Sequence, residues 1–133
     1  MAVILLDTDI ASFIFKGSQF SEPYEPLLQG HELALSFMTL AELFQWAMVR
    51  NWGDRRINQM EDYLSDYLVI PVDQQLCRTW ANIRLERQKV GQTISSQDAW
   101  VAATAIRHDL PLVTHNRQDF QGITGLQLLQ PEV

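Results

Sequence analysis

Four acidic residues stand at comparable places along this chain: Asp7, Glu42, Asp98 and Asp119. Asp7 ends the apolar run Ala2-Val3-Ile4-Leu5-Leu6. A short continuous apolar run reads as a strand buried on both faces. Ligands in open α/β sheets sit just beyond the carboxyl ends of such strands. The other three acids each follow a capping residue by three positions, in Thr39-x-x-Glu42, Ser95-x-x-Asp98 and Asn116-x-x-Asp119. Taken singly, each fits a capping box, in which the acid reaches back to a backbone amide, or the favourable end of a helix dipole. Asp9, with Thr8 beside it, reads equally well as a helix cap. Taken together, four carboxylates in one crevice repel each other, and some of their pKa values rise. A divalent cation removes that repulsion. Mg²⁺ and Mn²⁺ prefer carboxylate and water oxygens, and no Cys/His cluster offers a zinc site. The chemistry that uses such a site is metal-assisted phosphoryl transfer, in which an activated water attacks a phosphate.

The elements that must position these acids alternate between strand and helix. After the first strand, a helix is expected over Ile10–Lys16, stopped by Gly17, and a short one from Pro26 to near Gly30. A second strand covers Leu33–Phe37 and a helix Thr39–Asn51, with Leu40, Leu43, Phe44 and Ala47 on one face. Asp54 is expected to cap a helix to Tyr67. A third strand spans Leu68–Val72, with Pro71 favouring a sheet edge. Asp73 caps a long helix to Val90 with Leu76, Trp80 and Ile83 as its buried stripe, and a further helix covers Ser95–His108. A fourth strand at Pro111–Thr114, a helical turn at Asn116–Phe120 and a last strand at Leu126–Leu128 complete the chain. This alternation indicates a parallel sheet covered by helices on both faces. With the first strand central, the chain runs outward through strands two and three. It then returns to place strand four on the other side, so that Asp7 and the Thr114–Asp119 loop flank the point where strand order reverses.

The 133 residues, 47% hydrophobic and 20% charged, suit one domain over 1–133 with a real core. No apolar run approaches the roughly 20 residues needed to cross a bilayer, and residues 1–6 lack the basic start of a signal peptide. A single cysteine, Cys77, excludes an internal disulfide and makes a reducing cytoplasm the simplest setting. The net charge of −6 argues against a protein that merely coats nucleic acid. The segment 74–97 is different: Arg78, Arg84, Arg87 and Lys89 face Glu86 alone, a local +3 on a body of −9. Arg84 and Arg87 share one side of their helix and are candidate contacts to an RNA backbone, or plain surface residues.

Four segments carry a family resemblance: Leu6-Asp7-Thr8-Asp9, Thr39-Leu40-Ala41-Glu42-Leu43, the run 98–105 (DAWVAATA), and the run 112–120 (LVTHNRQDF). Each alone is weak, but all four in order along essentially the whole chain resemble PIN-domain ribonucleases, and most of all the VapC-type toxins of toxin–antitoxin pairs. The resemblance implies a three-layer α/β/α fold around a parallel sheet of four to five strands. It implies Mg²⁺- or Mn²⁺-dependent cleavage of RNA phosphodiesters. It assigns Asp7, Glu42, Asp98 and Asp119 to the acidic metal-site positions. Thr8 and Asp9 fall beside the first acid, and Asp9 departs from the asparagine that many members carry there. Thr114 and Asn116 match polar positions that orient water or substrate. Such toxins dimerise and are blocked by a small antitoxin inserted into the site.

Other residues read more plainly. Ala99, Ala102, Ala103 and Ala105 suit a helix surface lying close on the sheet. Trp80 and Trp100 suit the core. Phe13, Phe15, Phe20, Trp46 and Trp52 belong to the core or to a groove for a partner. His115 lies near the acids but alone does not mark a general base. Two other functions compete. Asp7-x-Asp9 also resembles haloacid-dehalogenase-like phosphatases, yet that pattern wants Thr or Val where Ala11 stands and a downstream lysine. The same fold with an idle site would be a binding module.

Overall fold

The computed structural model describes residues 2–131, so the outermost ends of the expected 1–133 span lie outside it. Five strands form one parallel sheet in the order β3-β2-β1-β4-β5. They are β1 (Val3–Leu6), β2 (Glu32–Ser36), β3 (Leu68–Ile70), β4 (Leu112–Val113) and β5 (Leu128–Leu129). β1 is central, with Leu6 opposite Leu35 of β2 on one side and Val113 of β4 on the other. The expected outward-and-return path is therefore the path taken.

Alternation along β1 explains why both sheet faces are covered. Leu5 joins one apolar cluster with Ala34 and Leu112, while Ile4 and Leu6 join the other with Leu35 and Val113. Side chains in a strand point to opposite faces in turn, so a wholly apolar strand needs a layer on each side. One layer comprises α1 (Thr8–Lys16), α2 (Glu25–Leu28), α3 (Phe37–Val49) and α4 (Asp54–Leu64), which supply Ile10, Leu28, Leu43 and Met60. The other comprises α5 (Gln74–Lys89) and α6 (Ser96–Arg107). There the alanines of α6 are at most 1% exposed, and Leu76 and Ile83 pack over them. Trp80 and Trp100 stack at 4.8 Å between ring centroids on this side, partly buried against the core cluster.

Several local expectations need correction. Ser36, not Thr39, caps α3: its Oγ accepts from the Thr39 amide at 3.1 Å. The cap was hidden inside the apolar run 33–37, and the shift puts Glu42 in the second turn rather than in a capping box. Gly53 occupies the cap of α4, and Asp54 is its first helical residue, where its charge still suits the dipole. That helix ends at Leu64, three residues early. β3 stops at Ile70 because Pro71 has no N–H to continue a ladder, and it is an edge strand as the proline suggests. Asn116 precedes a 3-10 turn, Arg117–Asp119, but makes no side-chain cap there. The last strand begins at Leu128 rather than Leu126. Gly17 ends α1 with φ 65°, and its amide closes the last turn onto Ile14 and Phe13.

The reassigned cap is testable. Ser36→Ala should lower stability by about 1 kcal/mol in urea unfolding, because the Thr39 amide loses its acceptor inside the protein.

Candidate active site

β1 ends by turning directly into α1, and Asp7 is the cap between them, with extended φ −71° and ψ 162°. Its amide donates to the Val113 carbonyl at 2.9 Å, extending the β1–β4 pairing by one step. The Asp7 Oδ1 accepts from the Thr8 amide at 2.8 Å. The Oδ2 accepts from the Thr114 hydroxyl at 2.7 Å, and that hydroxyl in turn accepts from the Asn116 amide at 3.1 Å. Only 7% of Asp7 is exposed. Burial, helped by the charges of Asp9 and Asp98, pushes its carboxyl up to about 7.

Asp9 lies in the first turn of α1 but faces across to the β4 loop. Its Oδ1 accepts from the Ile10 amide at 2.7 Å. Its Oδ2 accepts from the His115 amide at 3.1 Å and from Asn116 Nδ2 at 3.0 Å. Asp9 thus stands with the other acids and is not the cap of its helix. Burial raises its pKa although these amides oppose the shift.

Glu42 arrives from α3. The Thr8 hydroxyl donates to Glu42 Oε1 at 2.9 Å and meets Thr39 Oγ1 at 3.0 Å. Thr39, wholly buried, leans on Ser36 behind it. Half-burial raises the Glu42 pKa, with Asp98 and Asp9 adding to it. Asp98 sits in the first turn of α6, its amide bonded to Ser95 Oγ at 3.0 Å. Burial raises its pKa too, and the Asp119 charge adds to that.

The acids are thus linked through space: Asp7 to Asp9 and Asp98, Glu42 to the same two, and Asp98 to Asp119. Asp98 and Asp119 line one cavity of about 620 Å³, and Asp9 and Glu42 line a second of about 310 Å³. Among the described residues no three acids or imidazoles already close around one point. Among the same residues the one ion pair is Arg107 with Asp73, 3.0 Å apart, so no basic side chain pairs with these carboxylates. An all-oxygen, strongly negative donor set without a counter-charge fits a hard divalent cation.

The two arginines differ. Arg84 Nη1 donates to the Ile94 carbonyl at 2.7 Å and its guanidinium lies over Trp80, so it braces α5 against the α6 approach. Arg87 Nη1 donates to the Gly122 carbonyl at 3.0 Å and lines the cavity of Asp98 and Asp119. Gly122 holds a φ of +83°, a conformation that favours glycine. Tyr24, and the supporting roles of Thr39 and His115, are not readable from the sequence. Thr39 supports Thr8, the His115 amide holds Asp9, and Tyr24 bonds His115 Nδ1 at 2.7 Å. Nothing local in the sequence marks them, because each acts across more than 30 residues.

The chain resembles known proteins throughout its length. The PIN domain family pattern matches residues 4–126. Ribonuclease VapC1 of Haemophilus influenzae (strain R2866) is 30% identical over 127 residues, which cover 94% of this chain and 95% of that one. The solved VapBC-1 structure from nontypeable Haemophilus influenzae has a TM-score of 0.82 at 27% identity, covering 96% of this chain and 97% of that one. The DNA-bound VapBC from Salmonella typhimurium has 0.84 at 25%, covering 97% and 98%. A match of that extent, on a sheet whose central strand delivers the first acid, means that this chain belongs to the PIN-domain family.

Proposed function

We propose that this chain is a Mg²⁺- or Mn²⁺-dependent endoribonuclease, the toxin of a type II toxin–antitoxin pair. The observation that carries the reading is Asp7: a buried carboxyl raised to about 7, surrounded by further acids and paired with no base. Such a group is unfavourable in the bare protein and becomes favourable beside a divalent ion. Asp7, Glu42, Asp98 and Asp119 would hold the ion, with Asp9 beside them. When bound, Mg²⁺ or Mn²⁺ supplies an acidified water and positive charge at the phosphate. The chain's own part is to fix the acids: Thr114 and the Thr8 amide orient Asp7, the Thr8 hydroxyl orients Glu42, and Asn116 holds Asp9. Of the two arginines, Arg87 is the candidate contact to the RNA backbone, a reading supported by the cavity it shares with Asp98 and Asp119.

RNA as substrate follows from the ribonucleases this chain resembles, and a small antitoxin partner from the VapBC complexes. A homodimer and a cytoplasmic setting belong to the same reading. No helix among the described residues is long and apolar enough to cross a membrane, and Cys77 is an exposed free thiol. The phosphatase alternative loses ground because Ala11 is fully buried without a hydroxyl and no lysine among the described residues pairs with Asp7.

Purified protein should cut RNA with Mn²⁺ and stop in EDTA. Asp98→Asn should keep the fold by circular dichroism and lose cleavage by about a thousandfold, the loss of several kcal/mol of charge stabilisation. Equal cleavage in EDTA defeats the proposal, and calorimetry that finds no Mn²⁺ binding favours the idle module instead.

The raised acids also set a pH dependence. Free aspartate ionises near 3.8, whereas folded Asp7 keeps its proton to about 7. The folded state therefore binds more protons between those values, and its stability falls as pH rises from about 4 to 7. Asp9, Glu42 and Asp98 shift the same way. In EDTA, thermal melts should show a midpoint that drops across this window, and Asp7→Asn should flatten the drop and melt higher at pH 8.

A further inference from the structure

Beside the acids lies an aromatic surface that the reading above does not use. The 3-10 turn Gln19–Tyr24 brings Phe20 next to Phe13 of α1, with ring centroids 5.5 Å apart. The His115 ring meets Phe13 edge-on at 5.3 Å and 85°, and lies 6.1 Å from Phe20. Tyr24, buried beneath, fixes the imidazole through the 2.7 Å bond to Nδ1. Phe20 is 54% exposed and His115 is exposed as well. The patch is therefore rigid from below and open above. It is also joined to the acidic site by one bond, the His115 amide to Asp9 Oδ2 at 3.1 Å.

The occupant follows from charge. A chain of net −6 gains little from a polyanion by overall attraction. An uncharged grip is available instead, because every base presents a π-face to an aromatic ring. On the Asp9 side of the acids, the surface that a bound strand meets is Phe20 and His115. We propose that Phe20 and His115 form a stacking shelf for an unpaired base adjoining the scissile phosphate, an inference that rests on the nuclease reading. Exposed aromatic rings on which bases stack are a usual part of a single-strand binding surface.

The test begins with wild-type protein, Mn²⁺ and total RNA, with the cut sites mapped and a short oligonucleotide spanning the main one synthesised. Phe20→Ala should raise KM for that oligonucleotide by roughly ten- to a hundredfold, with kcat little changed, and Phe20→Trp should restore it. An abasic residue at one position next to the cut should cost wild type a similar factor and Phe20→Ala no more. Because Phe20 is exposed, circular dichroism and melting should match wild type. Wild-type KM in Phe20→Ala, or equal abasic losses in both proteins, overturns the shelf while leaving the nuclease intact. Unchanged RNA kinetics with weakened inhibition by a small protein partner also overturns it and makes the patch a protein contact. A wild type that cuts no RNA with Mn²⁺ removes the nuclease reading itself, and the shelf with it.

Discussion

A carboxylate buried at the end of the central strand is the constraint on which this structure turns. Burying a charge is tolerable only when something neutralises it or bonds it. At Asp7 the neutral donors are a threonine hydroxyl and one amide, and the neighbours are more acids. Everything near the carboxyl ends of β1, β2 and β4 is arranged around that unfavourable charge. The strand order sets Thr114 next to Asp7, and α1 starts at once so that its first amide faces the carboxyl.

The supporting hydroxyls solve a problem of orientation. Serine and threonine accept and donate without adding charge, so Ser36, Thr39 and Thr8 can pass a chain of bonds to Glu42 without neutralising it. A lysine in any of those places would steady the acid but also cancel it. Stability is thereby traded for a negative pocket, a common bargain at functional sites. Beyond Asp98, the rest of α6 shows what the same fold does where no such pocket is needed. There, alanines of α6 lie flat on the sheet and the two stacked tryptophans close the edge.

Much of this was legible in the sequence because it is local. An apolar run ending in an acid, capping residues before helices and glycines after them mark the elements, and their alternation marks a parallel sheet, while the central place of β1 is a supposition that the strand order bears out. What the sequence hides is of two kinds, one local and the rest remote. Ser36 sits within an apolar run, so the cap seemed to begin at Thr39. Asp9 could not be told from a helix cap, since its partners, His115 and Asn116, lie more than a hundred residues away. Arg84 and Arg87 looked alike by spacing, yet the carbonyl each one meets belongs to a different loop. Hydrogen bonds between remote segments leave no trace in composition or period.

The strand order has a consequence for synthesis. β1 is made well before one of its two neighbours, β4, which starts only after residue 111, and Asp119 comes later still. Until then the nascent chain carries β1 with an open edge, and Asp7 has no Thr114 to hold it. The acidic pocket therefore cannot assemble until β4 and the turn carrying Asp119 have been made.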